Sequence, residues 1–206
     1  MINKKKVANY VKMRSNFQLQ RRIGSYDIIF KDQFKTAIDN LSIEDRTIQD
    51  PEETERSYIA FTDEEGISLI KHFEGCRLES YQDSVGIWTI GYGTIKGVKE
   101  GDQINQDEAE HLLQEEMPEY EGYINEMVNV PLEQNQFDAL CSWVFNLGPK
   151  NLSESTLLRV LNDEKYDEVP EQIVRWNKAG GQVLEGLVRR RQAEADMFEG
   201  KKWEKV

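Results

Sequence analysis

The run FEGCRLESYQDSVGIWTIGYG, residues 73–93, decides how this 206-residue chain is read. Leading into it, Ile67, Ile70, Phe73 and Glu74 fall at i, i+3, i+6 and i+7, the stripe of an amphipathic helix. Thr62 with Glu65 forms a capping box at the start of that helix, and Phe61 is placed to staple its first turn. Gly75 can close it. Residues 77–81 and 87–92 then read as two strands around the turn Asp83, Ser84, Val85, Gly86, so a β-hairpin follows the helix. A third short strand is expected near residues 97–98.

Further along, Asn105 with Glu108 opens another helix, which meets Pro118; a proline there should kink the helix or restart it. Beyond Pro131 the pattern is helical: residues 133–147 ending at Gly148, then 155–162, 167–177 and a last helix after Gly186. A small β element inside a mostly helical chain places the fold in the α+β class, mostly α.

Composition changes near residue 60. Residues 1–50 hold 10 basic and 6 acidic side chains against 26 and 38 in the whole chain, so residues 51–206 hold 16 and 32. The front is +4 and the rest −16. Between them, residues 50–55 (Asp-Pro-Glu-Glu-Thr-Glu) have the makings of a linker. The expected division is a basic N-terminal extension with its acidic linker over residues 1–60, holding one or two short helices within 17–41, and a second domain over 61–206. A net charge of −12 argues against a nucleic-acid partner, which needs a basic face. No run approaches 18 apolar residues, and no apolar segment follows the basic start, so neither membrane insertion nor a secretory signal peptide is expected. Cys76 and Cys141 lack metal-ligand spacing and read as two buried thiols.

Glu74 lies on the apolar stripe at a helix end, where withdrawal from water would favour the protonated form that a general acid needs. The plainer reading is a helix-terminal Glu reaching solvent. Asp83 sits in the hairpin turn, where Asp is common for conformational reasons alone. Thr89, on the second strand, is on the face opposite Trp88, Ile90 and Tyr92, and a lone strand hydroxyl is usually β-branched filler. None of the three is informative by itself. Together they put an acid, a carboxylate and a hydroxyl around one small β lobe.

The spacing Glu74, Asp83 at +9, Thr89 at +15 and the strand Thr89-Ile90-Gly91-Tyr92-Gly93 resembles the phage T4-type lysozymes, glycoside hydrolase family 24. The likeness continues through residues 131–140, 145–148, 155–157 and 161–162, then Trp176-Asn177, Gly180-Gly181, residues 186–191 and Glu194, and it covers roughly residues 61–206. It implies a two-lobed lysozyme-like fold with a β lobe and a helical C-terminal lobe. It also implies a peptidoglycan hydrolase that cuts the β-1,4 bond between N-acetylmuramic acid and N-acetylglucosamine. On this resemblance Glu74 protonates the glycosidic oxygen, Asp83 and Thr89 hold the attacking water, and no metal or other cofactor is needed. Two carboxyl groups about 6.5–9.5 Å apart are what an inverting hydrolase requires. Thr94 stands where the family strand is often followed by His, and Pro118 interrupts the helix that joins the lobes in the family.

Asn146 is a candidate glycan contact, equally readable as a helix-end cap. Arg189-Arg190-Arg191 could bind an anion, but three consecutive helical residues point in different directions, which favours packing. His72 and His111 read as structural or solvated, and Trp88, Trp143 and Trp176 as core first and sugar platforms second. Two biological settings fit. One is a soluble endolysin made in the bacterial host cytoplasm and acting on the periplasmic cell wall. The other is a virion-associated lysozyme docked on a tail or baseplate protein through residues 1–60, towards which the unneeded basic extension and acidic lobes lean. A lysozyme-fold structural module without turnover belongs to a different class, and the retained Glu74, Asp83 and Thr89 count against it.

Overall fold

The computed structural model describes residues 60–204. Apart from Ala60, the expected extension, its short helices and its linker lie outside the described residues. Helix α1, Glu64–Glu74, begins at Asp63, whose Oδ1 accepts the backbone N–H groups of Glu65 at 2.7 Å and Gly66 at 3.3 Å. The expected Thr62–Glu65 box therefore does not form, and the cap is the Asp63 side chain one residue later. A carboxylate oxygen placed to reach two orphan amides outcompetes a single hydroxyl. Thr62 Oγ1 is instead buried without a partner among the described residues. Gly75 ends α1 at φ 65° and turns the chain into the strands, as expected.

The short approach to α1 is held by side chains of two other helices. Asn125 accepts the Ala60 N–H and donates to the Ala60 carbonyl, Glu121 accepts the Thr62 N–H, and Gln134 donates to the Phe61 carbonyl. Asp138 accepts the Asp63 N–H at 3.1 Å. Gly66 is required here: a Cβ would come within 2.8 Å of the Asp138 side chain and 2.5 Å of Thr62 Cγ2. Without a side chain at this point the first turn of α1 can lie directly on the helix that carries Asp138.

Strands β1 (Arg77–Gln82) and β2 (Trp88–Gly91) form the expected antiparallel hairpin. Tyr81 pairs with Thr89 and Arg77 with Gly91, so the register slips by two residues between Arg77 and Tyr81. The third strand is not at residues 97–98. Its place is taken by Asp102, Gln103 and Ile104, which bond Ser80 and Leu78 and bridge Glu79 to Gln103. Residues 97–98 fall in turns, where Gly97 adopts φ 79° and interrupts any extended run.

Helix α2, Gln106–Met127, starts with the expected Asn105–Glu108 capping box, both bonds formed. It runs through Pro118 as one element, so the expected restart does not occur; the proline removes a single backbone donor, and the buried Leu113, Met117 and Ile124 hold the helix on either side. The remaining elements are α3 Gln134–Leu147, α4 Pro149–Ser153, α5 Thr156–Asn162, a 3₁₀ turn Tyr166–Glu168, α6 Val169–Val174, a two-residue hairpin β3 Lys178–Ala179 with β4 Gln182–Val183, and α7 Glu185–Phe198. The expected helix 167–177 thus splits into a 3₁₀ turn, α6 and the start of a hairpin, and α4 was not foreseen.

The core lies among the helices. Helix α3 packs against α1, α2 and α7, with Phe137, Leu140, Trp143 and Val144 fully buried. Trp143 meets Trp176 edge to face with ring centroids 5.1 Å apart. The hairpin is joined to this core chiefly through β2 on α2, where Ile90 and Tyr92 are buried. Cys141 is buried as expected, whereas Cys76 is half-buried. No described helix is long and apolar enough to cross a membrane.

Candidate active site

Three elements present the residues singled out from sequence. Glu74 is the last residue of α1, Asp83 follows β1 in the turn, and Thr89 lies on β2 directly across from Tyr81. Glu74 Oε1 receives a 2.6 Å bond from Arg190 Nη1 of α7, with 22% of the Glu74 side chain and 4% of the Arg190 side chain exposed. The guanidinium fixes one carboxyl oxygen, and Oε2 makes no hydrogen bond among the described residues.

Asp83 is oriented just as firmly. Its Oδ1 accepts the N–H groups of Val85 at 2.9 Å and Ile87 at 2.8 Å, while its own N–H donates to the Ile87 carbonyl. Those bonds are made by one oxygen, so Oδ2 has no protein partner among the described residues. The turn that makes Asp unremarkable in sequence is also what aims it. Thr89 is buried, and its hydroxyl donates to the Ile87 carbonyl at 3.1 Å. With its proton engaged there, Oγ1 can accept a hydrogen bond from another group. The backbone of one residue, Ile87, therefore ties the carboxylate and the hydroxyl together.

Behind Glu74 lies a buried polar cluster that sequence reading assigned only to packing. Arg190 bonds Glu194 Oε1 at 3.1 Å and the Ser142 carbonyl at 3.3 Å as well as Glu74. Arg191, fully buried, reaches Glu194 Oε1 and Asn146 Oδ1, each at 3.0 Å. Ser142 Oγ donates to Glu194 at 2.8 Å. Burial pushes the Glu194 carboxyl up while both guanidinium groups and Ser142 oppose it. Burial also lowers Arg191 to about 10, which still leaves it cationic at neutral pH. Removing one member of such a cluster leaves a buried charge uncompensated, a loss of roughly 3–5 kcal/mol. The signal was present in sequence as the i, i+4 and i, i+3 spacing of Glu194 from Arg190 and Arg191. Only the contact between α7 and the end of α1, 116 residues apart, ties that spacing to Glu74.

Asn146, the candidate glycan contact, is exposed at the C-terminal end of α3, with its carbonyl oxygen held by Arg191 and its amide N–H groups free to face outward. Thr94 is buried, and its side chain hydrogen-bonds Glu116 of α2; burial raises the Glu116 carboxyl above the usual range. His72 packs its ring on Phe73 and Trp203, and His111 lies exposed beside Glu115 at 3.3 Å. Among the described residues no group of three or more His, Cys, Asp or Glu is placed to hold a metal ion.

The phage lysozyme family model matches residues 71–194, more than half of the chain, and contains the whole of this arrangement. The chain belongs to the phage lysozyme family. An endolysin of Acyrthosiphon pisum secondary endosymbiont phage 1 is 44% identical over 140 residues, which cover 66% of this chain and 96% of that protein. Among solved structures, the muramidase domain of SpmX from Asticaccaulis excentricus is 36% identical with a TM-score of 0.63, covering 66% of this chain and 95% of that one. A mutant of P22 lysozyme is 38% identical with a TM-score of 0.63, covering 68% and 99%. The phage lysozyme reading from residues 73–93 and the mostly helical α+β fold are borne out. As a phage lysozyme family member the protein is a peptidoglycan hydrolase whose substrate is the bacterial cell wall.

Proposed function

We propose that this protein is a lysozyme that cuts the β-1,4 bond between N-acetylmuramic acid and N-acetylglucosamine, with Glu74 as general acid and Asp83 and Thr89 as holders of the attacking water. The observation that carries this is complementary orientation: Arg190 occupies Oε1 of Glu74, and the turn amides occupy Oδ1 of Asp83. Each carboxyl is left with one oxygen for chemistry. Glu74 Oε2 gives its proton to the leaving glycosidic oxygen. Asp83 Oδ2 takes one proton from the water while Thr89 Oγ1 accepts a hydrogen bond from its other O–H, which stays with the new anomeric hydroxyl, so that the water attacks the anomeric carbon in a single displacement with inversion. The exposed Asn146 amide is a donor for the glycan beside this centre.

The biological setting that the relatives favour is host lysis from within, since the similar phage proteins are endolysins. Delivery on a virion tail or baseplate through residues 1–60 is the second reading. It is favoured by the +4 charge of residues 1–50 and by the third of this chain that the 44%-identical endolysin does not match. Digestion of purified peptidoglycan followed by mass spectrometry of the fragments tests the chemistry. Reducing N-acetylmuramic acid ends are expected from the wild type and none from Glu74→Gln. Free stem peptides with intact glycan strands would instead show an amidase and overturn the assignment.

A further inference from the structure

Tyr120 packs on the edge of the core and against the rings of Tyr123 and Phe145, yet its hydroxyl has no hydrogen bond among the described residues. It projects from α2, is half-buried, and sets its ring against Phe145 with centroids 4.6 Å apart at 46°. Phe145 is the neighbour in sequence of Asn146, which Arg191 holds. Tyr120 also lies close enough to Glu74 to feel its charge, although the two residues belong to different helices. Glu74 and the exposed Asn146 are held by the neighbouring Arg190 and Arg191, and Phe145, next to Asn146, carries the Tyr120 ring. The other half-buried or buried tyrosines on or near the helices dispose of their hydroxyls within the protein: Tyr92 to Gln106, Tyr123 to Glu119 and Tyr166 to the Pro131 carbonyl. Tyr120 has no such hydrogen bond among the described residues. The Tyr120 hydroxyl is not among the buried unpartnered polar atoms, so it is open to solvent and available as a donor to a ligand.

Resting on the lysozyme reading above, we propose that Tyr120 is a substrate-binding residue of the cleft, its ring taking the face of the N-acetylated sugar next to the scissile bond and its hydroxyl donating to that sugar. An aromatic ring offers an apolar plane to the C–H face of a pyranose, and a phenol supplies one directional donor at its rim. Phe145 keeps the ring from turning away, so little rotamer freedom is lost on binding. Burial, with Glu116 and Glu119 nearby, pushes the Tyr120 hydroxyl up to about 12, so it remains a donor throughout the range in which a cell-wall hydrolase works.

The full chain and soluble, uncrosslinked glycan strands test this. Tyr120→Phe keeps the ring and its seat on Phe145 and removes only the hydroxyl. It should raise KM about five-fold, the loss expected for one hydrogen bond, with kcat nearly unchanged. Tyr120→Leu keeps an apolar contact with Phe145 and should raise KM further, to about ten-fold or more as the flat ring is lost. A purely structural tyrosine would leave KM intact in Tyr120→Phe, and that result overturns the proposal. If the wild type proved not to cut glycan, the lysozyme reading alone would fall. Strand binding by Glu74→Gln, with and without Tyr120→Phe, still decides the role of Tyr120: about five-fold weaker binding is expected, and equal binding refutes it.

Discussion

The two ends of α1 handle carboxyl groups in opposite ways. At its start, Asp63 and Asp138 lie against each other beside Glu121, and the bonds that hold them come from backbone amides and Gln134. Burial and the neighbouring Asp63 push Asp138 up to about 8, so its carboxyl stays protonated at neutral pH and hydrogen-bonds to Asp63. At its end, Glu74 and Glu194 are held by the guanidinium groups of Arg190 and Arg191. One end relies on a proton that solvent can remove; the other relies on cations that are permanent over the working range. The comparison teaches that the start of α1 responds to pH through stability, whereas the end serves orientation.

The largest effect should come from breaking the cationic end. Arg190→Met leaves Glu194 facing a single guanidinium and Glu74 without its anchor. A loss of roughly 3–5 kcal/mol of stability is expected. Wall-lytic activity should fall at least about 100-fold, as positioned catalytic groups lose their geometry. Thermal melting and turbidity loss of outer-membrane-permeabilised cells measure the two. Retention of both would show that Arg190 does not position Glu74.

Asp138→Asn sharpens the contrast at the other end. In the unfolded chain an Asp titrates near 3.9, about four pH units below its folded value here. Between those values the folded protein holds a proton that the unfolded chain has released, so stability is complete below about pH 4 and declines as pH rises through about 8. An asparagine has no such proton, yet its carbonyl oxygen can still accept the Asp63 N–H. The melting temperature of the variant should change less between pH 5 and pH 9 than that of the wild type, and the variant should gain relative to wild type at pH 9. Parallel curves would mean that Asp138 does not carry the titration.

The smallest effect is expected at Thr62, whose hydroxyl is buried beside the same cluster without a partner among the described residues. Thr62→Val removes that hydroxyl at nearly constant shape. Chemical denaturation should place it within about 0.5 kcal/mol of wild type, on the stabilising side. A loss of 1–2 kcal/mol would reveal a hydrogen bond that Thr62 makes when it folds.

Local rules carried the sequence reading where one element contains its own explanation. The Asn105–Glu108 box, the helix ends at Gly75 and Gly148 and the hairpin around Asp83 all depend on residues within a few positions of one another. The reading slipped where two local solutions compete, as between Thr62 and Asp63 for the cap, or where pairing partners are distant, as for Gln103 beside Glu79. It gave no view of the cluster behind Glu74, because the consequence of Arg190 lies in which helix end it touches. Of the two outcomes expected at Pro118 the restart does not occur, because burial of Met117 at the preceding position outweighs one missing hydrogen bond.

That proline gives α2 a mechanical character. Over 22 residues the helix is a beam about 33 Å long. Its first half is loaded by the strands through β2 and its second half is clamped by the helical core. A backbone that lacks one cross-tie part-way along is most compliant at that section. Flexure of the beam is therefore cheapest between Gln114 and Pro118, the turn whose Glu116 meets Thr94. A small change of curvature there would be converted into displacement of the turn bearing Asp83 relative to Glu74.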